Sequence, residues 1–186
     1  ANLPTVFLFD ENHQNLNNCI DKNIKNAIEL IEKGNVTLIG VESLAGGKSW
    51  DIDSMEYREN YPNKKADDFY ASKYRSTAVE FQDAIYNQPD VRICGVESFG
   101  MMHVILEDVA SGLEKDAKSH RLNFERSRHF IKTLFENYLS RNISGNLILN
   151  CGSNHNTHIK GWIENEAIDN LVGVRANYIR IDTITI

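Results

Sequence analysis

No stretch of the chain is rich in lysine and arginine, no cysteines are spaced as CxxC, and no apolar run approaches bilayer length. Each absence excludes something. The 20 basic and 26 acidic side chains leave a net charge of −6, spread over short mixed runs. Nucleic-acid binders normally present a basic patch or stripe, so nucleic acid is a poor candidate partner. The three cysteines, Cys19, Cys94 and Cys151, are odd in number and match no zinc-site spacing. Cys94 and Cys151 fall within apolar runs, where a small buried thiol is expected. This usage leans towards a reducing compartment and slightly favours the cytoplasm, with a secreted or processed chain left open. A spanning helix needs about 20 consecutive apolar residues, so no membrane span is expected. There is no GxSxG elbow either, which argues against a covalent serine mechanism.

What is present is ordinary globular composition, 41% hydrophobic and 25% charged, in a chain of single-domain length. One domain over residues 1–186 is therefore expected. Four short apolar runs, residues 5–9 (TVFLF), 36–41 (VTLIGV), 91–96 (VRICGV) and 147–151 (LILNC), have strand length and no clean alternation. That pattern suits strands covered on both faces. Helical periodicity lies between them. Residues 17–33 put Ile20, Ile24, Ala27, Ile28 and Ile31 on one stripe with Gly34 as a cap, and residues 123–141 repeat apolar side chains at three- and four-residue steps. Weaker helices are expected at 75–87 and 101–118, and a last one at 157–171. Residues 174–186 alternate like an edge strand. Strands alternating with helices imply an α/β fold with a mostly parallel sheet of four or more strands between helices. A polar excursion, residues 43–71 and extending to about 74, shows no sustained period. It is either a binding lid or a plain surface insertion. No apolar stripe is surplus to the core, so the oligomeric state is left open.

In open parallel sheets ligands bind beyond the carboxyl ends of the strands, and here every exit carries polar chemistry. The first strand is followed by Asp10-Glu11-Asn12-His13, the second by Glu42-Ser43, and the third by Glu97-Ser98. The fourth is followed by Gly152-Ser153-Asn154-His155, with His158 three residues on. The tetrapeptide Gly-Val-Glu-Ser occurs twice, at 40–43 and 95–98, without repetition of its flanks. Similar strand–turn geometry is the simpler explanation, with glycine allowing close approach. A lone glutamate at a strand end is more often solvated or capping than functional, and a histidine in a turn is often only hydrogen-bonded. Convergence of four exits favours the functional alternative for His13, His155 and Glu42. His103, His120 and His129 lie in helical patterns and are expected to be surface or packing residues.

These residues resemble a known family. Glu11-Asn12-His13 after a strand, Glu42 at a strand end and Gly152-Ser153-Asn154-His155 after a late strand look like the paired GxxH pattern of the erythromycin esterase-like and ChaN-like superfamily. The Tiki and TraB proteins are distantly similar to it. Glu125-Arg126-Ser127-Arg128-His129-Phe130 is similar to that family's E-R-(N/D)-x-x-(M/F) segment, which makes Arg126 the counterpart of its site arginine. The chain departs at Asp10, where the family has glycine, and an acid there would either bulge into the site or turn outward. The resemblance, from Phe7 to about Leu171, implies a three-layer α/β/α fold with a cleft over the carboxyl edge. Its members are described as hydrolases or as iron and haem binders.

Two functions follow as expectations. The first is hydrolysis of an ester or amide bond in a small-molecule or peptide substrate. His13 or His155 is the general base, Glu42 or Glu11 orients the imidazole, and Arg126 stabilises an oxyanion or clamps an anionic group. Glu11, Glu97, Asn154 and His158 are candidate substrate contacts. A divalent metal is optional in this mechanism. His13, His155 and Glu42 would suit zinc, manganese or iron with open positions. The second is metal or haem-iron binding without turnover, for which the tyrosines Tyr57, Tyr61, Tyr70 and Tyr74 in the polar excursion supply further ligands.

Overall fold

The structure is a computed structural model that describes residues 3–11, 18–45, 81, 84, 88, 90–98, 101, 117–165 and 167–181. Most of the weaker helices expected at 75–87 and 101–118, and nearly all of the polar excursion, lie outside these residues; 81, 84 and 101 are helical, and 117–118 belong to the helix that runs on to Ser140. Five strands form one parallel sheet: β1 (Thr5–Glu11), β2 (Val36–Ala45), β3 (Arg92–Glu97), β4 (Asn146–Gly152) and β5 (Asn177–Ile181). Their order across the sheet is β3-β2-β4-β1-β5. Four helices are described: α1 (Cys19–Lys33), α2 (Ala117–Ser140), α3 (Ser153–Glu164) and α4 (Ala167–Val172). The α/β class expected from the alternation is therefore observed. Among the described residues no helix is long and apolar enough to cross a membrane.

The order of the strands explains the two cores. The chain steps from β1 over to β2 and on to β3, then returns through α2 to β4 and through α3 and α4 to β5. Right-handed crossovers put outgoing and returning connections on opposite faces. Accordingly, Ala27 of α1 packs with Phe7, Phe9, Ile39, Val41 and Ile148 on one face. Phe130, Leu134, Ile159, Ile163 and Ile168, from α2 to α4, pack with Val6, Leu8, Leu38, Val96 and Leu149 on the other. Alternate residues of each strand supply the two faces, so central strands are buried throughout while β5, at an edge, is not. Because β4 lies between β1 and β2 but feeds the opposite face, the connections diverge at their carboxyl ends, the place where open parallel sheets bind ligands.

Two expected helices are adjusted. α1 buries Cys19, Ile20, Asn23 and Ala27, so its buried face is centred on a polar residue that the isoleucine stripe does not include. The last helix begins at Ser153, directly after β4, and breaks at Asn165 before α4. The Gly152 exit is thus a helix start, and it carries both His155 and His158 within two turns.

Gly40 sets how closely α2 approaches the sheet. A Cβ there would lie 2.9 Å from Leu134 Cδ1, 3.0 Å from Val96 Cγ1 and 3.2 Å from Leu149 Cδ1. Leu134 stands over Gly40 while Arg126, two turns earlier, reaches Glu42 further along β2. α2 therefore runs back against the strands and lays its first half over their carboxyl ends. Gly40→Ala is expected to overpack this contact and cost about 1–3 kcal/mol, read as a lower urea midpoint at an unchanged denaturant slope.

Candidate functional site

Arg126, Glu42 and Glu97 are only 5–6% exposed, although each carries a charge. Burial of ions is costly unless geometry and hydrogen bonds compensate, and here they do. Arg126 donates from Nε to Glu97 Oε2 at 3.1 Å and from Nη2 to both Glu97 Oε1 and Glu42 Oε1, the latter at 3.2 Å. Its Nη1 donates to Asn123 Oδ1 at 2.9 Å, and its guanidinium carbon stands 5.5 Å from the Phe130 ring centre. The other Glu42 oxygen accepts the Gly152 backbone N–H at 2.7 Å, at the amino end of α3 where partial positive charge collects. Ser98 N–H donates to Glu97 Oε2 at 2.9 Å.

The sheet itself aims these groups. Val41 pairs with Gly95 and Ala45 with Glu97, so four steps along β2 answer two along β3. Such a bulge re-aims side chains and is common beside active sites. Glu42 occupies it. Two carboxylates share one guanidinium, and the protonation states reflect this. Burial pushes Glu97 above the ordinary carboxylate value, with Arg126 pulling back and the neighbouring charge of Glu42 adding to the push. Burial also opposes the Arg126 charge, but the two glutamates outweigh it and the guanidinium stays protonated.

His155, buried in the first turn of α3, presents Nε2 to Glu42 Oε1 at 3.6 Å and stacks obliquely 4.6 Å from Phe130. Its Nδ1 lies 2.6 Å from Ser127 Oγ, and His158 Nδ1 lies 2.8 Å from the same oxygen. Ser127 is fully buried one residue after Arg126. His158 is half-buried, edge-on to Phe124 at 5.1 Å, with Trp162 beyond, and burial lowers its imidazole from the usual value.

Asp10 does not enter this group. It pairs with Arg180 of β5, Nε to Oδ1 at 3.2 Å and to Oδ2 at 3.1 Å, and accepts from Asn156 Nδ2 at 2.9 Å. Arg180 also donates to Ser153 O and Thr157 Oγ1, each at 3.0 Å. Asp10 thus ties β1 and β5 to the first turn of α3. Glu11, next along β1, accepts from Asn150 Nδ2 at 2.9 Å, and Asn23 of α1 donates to Asn150 Oδ1 at 2.8 Å. Glu11 thus engages the α1 side, opposite the α2–α3 side that holds His155. Cys151 is the packing residue expected from its apolar run. Burial, followed by the charges of Glu42, Glu11 and Asp10, holds its thiol well above the ordinary value, and Sγ donates to Asn156 Oδ1 at 3.0 Å.

Of the expected site residues, Glu42, Glu97, Arg126 and His155 are brought together, His158 joins them through Ser127, and Asn154 is exposed on α3. His13 lies outside the described residues, as do Tyr57, Tyr61, Tyr70 and Tyr74. Among the described residues no three His, Cys, Asp or Glu groups are gathered as metal ligands. Glu42 and Glu97 are turned onto Arg126 and backbone N–H groups instead. The described residues therefore do not fit a metal by themselves, and what they offer is imidazole, carboxylate and guanidinium chemistry. Comparison with protein-family models, curated proteins and solved structures gives no match.

Ser127, Asn123 and Asn156 are missing from the sequence-based candidates. The available signal is a polar residue inside an apolar helical stripe: Ser127 precedes Phe130, Ile131 and Leu134 at steps of three, four and seven. Asn156 stands in the same relation to Ile159 and Ile163.

Two outcomes follow. Arg126→Met strips the common partner from two buried carboxylates and is expected to cost about 3–5 kcal/mol, measured by chemical denaturation. Adding Glu97→Gln should recover part of that loss. His129, half-buried with Nε2 lacking a hydrogen-bond partner, has its imidazole lowered by burial. A lowered folded value means that the unfolded chain binds the proton more readily. This contribution is thus complete above the usual value of 6.5 and fades as pH falls through the folded one. His129→Leu should flatten the loss of stability between about pH 7 and 5 relative to the parent chain, followed by urea midpoints across that range. Glu97, shifted the opposite way, is common to both proteins and cancels in the comparison.

Proposed function

We propose that this chain is a hydrolase of ester or amide bonds, in keeping with its resemblance to the erythromycin esterase-like and ChaN-like superfamily. Its acid–base centre is His155 backed by Glu42. One observation carries the proposal: the buried Glu42–Arg126–Glu97 network at the carboxyl ends of adjacent strands, with an imidazole 3.6 Å from Glu42. A sheet end needed only for stability would gain by replacing such ions with apolar side chains. Charged groups kept in a desolvated crevice are a mark of functional sites.

The residues divide the work as their geometry suggests. Imidazole moves the proton of an attacking water, a service of about 10²–10⁴-fold, and the Glu42 carboxylate balances the imidazolium that forms. Four of the five Arg126 N–H groups are taken up by Glu42, Glu97 and Asn123. Arg126 therefore acts on the site mainly by holding both carboxylates in position, and direct oxyanion contact falls to its remaining Nη1 hydrogen.

Purified protein assayed against ester and peptide panels tests the proposal, with metal content measured in parallel. His155→Ala and Glu42→Gln should each lower kcat by about 10²–10⁴ while far-UV circular dichroism is unchanged. Turnover that survives His13→Ala and His155→Ala together sinks the assignment. Stoichiometric iron or haem without hydrolysis would favour binding instead.

A further inference from the structure

Three groups meet the Ser127 hydroxyl, which has one proton to give and two lone pairs. They are His155 Nδ1 at 2.6 Å, His158 Nδ1 at 2.8 Å and the Asn123 carbonyl at 3.0 Å. The hydroxyl can donate to only one ring nitrogen, so at least one Nδ1 must carry a hydrogen. The Asn123 carbonyl, one helical turn back, is the ordinary acceptor of the Ser127 backbone N–H and does not need the hydroxyl. The choice is therefore between the two imidazoles, and Glu42 decides it. Its Oε1 lies 3.6 Å from His155 Nε2 and favours hydrogen on that atom. Neutral His155 then has a lone pair at Nδ1, which takes the Ser127 proton. His158 must in turn donate from Nδ1 to Ser127 Oγ, leaving its lone pair on Nε2. That nitrogen has no hydrogen-bond partner among the described residues and is not sealed from solvent.

We infer that His158 Nε2 is the proton-accepting atom of the site and that Ser127 relays the resulting charge inward to the His155–Glu42 pair. The inference deepens the hydrolytic proposal and rests on it for the source of the proton. As water attacks the carbonyl carbon, one O–H bond of the water breaks and its proton goes to His158 Nε2. The electron pair left on oxygen forms the new C–O bond while the carbonyl π pair moves onto its own oxygen. When the tetrahedral oxyanion collapses, the ester or amide bond breaks with its pair on the leaving oxygen or nitrogen, which takes the proton back from His158 Nε2. The Nδ1 hydrogen of His158 passes to Ser127 Oγ while the Ser127 hydrogen passes to His155 Nδ1. Each proton moves one place, and no bond between heavy atoms changes at the three residues. The positive charge comes to rest on His155. There it faces Glu42 and the Phe130 ring, beside a cluster that holds, among the described residues, two carboxylates and one guanidinium. Among the described residues, charge left on His158 would have the rings of Phe124 and Trp162 beside it. On this inference His158 is a catalytic residue, a role beyond the substrate contact expected of it, and Ser127 is a positioning one.

Proton placement can be measured without any substrate. Long-range ¹H–¹⁵N spectra of labelled protein at mildly alkaline pH should show His158 as the Nδ1–H tautomer and His155 as the Nε2–H tautomer. In Ser127→Ala, His158 should revert to the Nε2–H form common in free histidine, while His155 keeps its hydrogen facing Glu42. Wild-type spectra with both rings in the Nε2–H form, or a His158 tautomer indifferent to Ser127→Ala, overturn the inference. The second arm is kinetic, with whichever ester or peptide is turned over. Ser127→Ala and His158→Gln should lower kcat at least tenfold with little change in KM, and Ser127→Thr, which keeps the hydroxyl, should recover most of the loss. Full kcat in His158→Gln also overturns it. The expected tautomers in a protein that hydrolyses nothing would instead refute the hydrolytic proposal and leave the hydrogen-bond chain intact.

Discussion

Two carboxylates and a single guanidinium, all withdrawn from water, impose the condition that organises this molecule. Glu42 and Glu97 enter from neighbouring strands and Arg126 descends from the opposing helix. None of the three could be buried alone without a large desolvation penalty. The arrangement needs β2 and β3 side by side, the alternation that carries Leu38, Gly40 and Glu42 towards α2, and a glycine that lets α2 come close enough for Arg126 to span both acids. Sheet order, strand alternation and helix approach are thus linked through one ion cluster.

The same cluster supplies the site with its electrical asymmetry. Among the described residues one guanidinium faces two acids, and the second oxygen of Glu42 is held by the Gly152 N–H at the turn that bears His155. An imidazole beside Glu42 is favoured by that carboxylate when it becomes cationic. Phe130 touches both groups, lying 5.5 Å from the Arg126 guanidinium carbon and 4.6 Å from the His155 ring. Its electron-rich face replaces some of the hydration that each has given up.

Much of this was legible in the chain. Four apolar runs without alternation announced strands covered on both sides, and the types at their exits announced where polar chemistry would gather. Glu42, Glu97, Arg126 and His155 do converge, because strand exits and the first half of a returning helix share one edge by construction. What escaped notice was the polar residue inside an otherwise apolar stripe. Asn23, Ser127 and Asn156 each occupy a buried helical position, and each bonds groups from distant parts of the chain. Periodicity records which positions face inward and not whether a partner is waiting there, so a small polar residue in a stripe passes for a lapse in the pattern. The bulge in β2 was invisible for a related reason: register is a property of two strands, and one strand's sequence does not contain it. The apparent turn after Gly152 is a helix start because the Gly152 N–H is satisfied by Glu42, a residue 110 positions away.

The grip of Arg180 on Asp10 and on the first turn of α3 carries a consequence for assembly. β5 follows the other four described strands in sequence, and its arginine braces the turn from which both imidazoles project. Until that strand docks beside β1, Asp10 lacks its ion pair with Arg180 and the histidine helix lacks its tie to β5. The described acids and imidazoles of the cluster therefore all precede in sequence the strand whose arginine braces them.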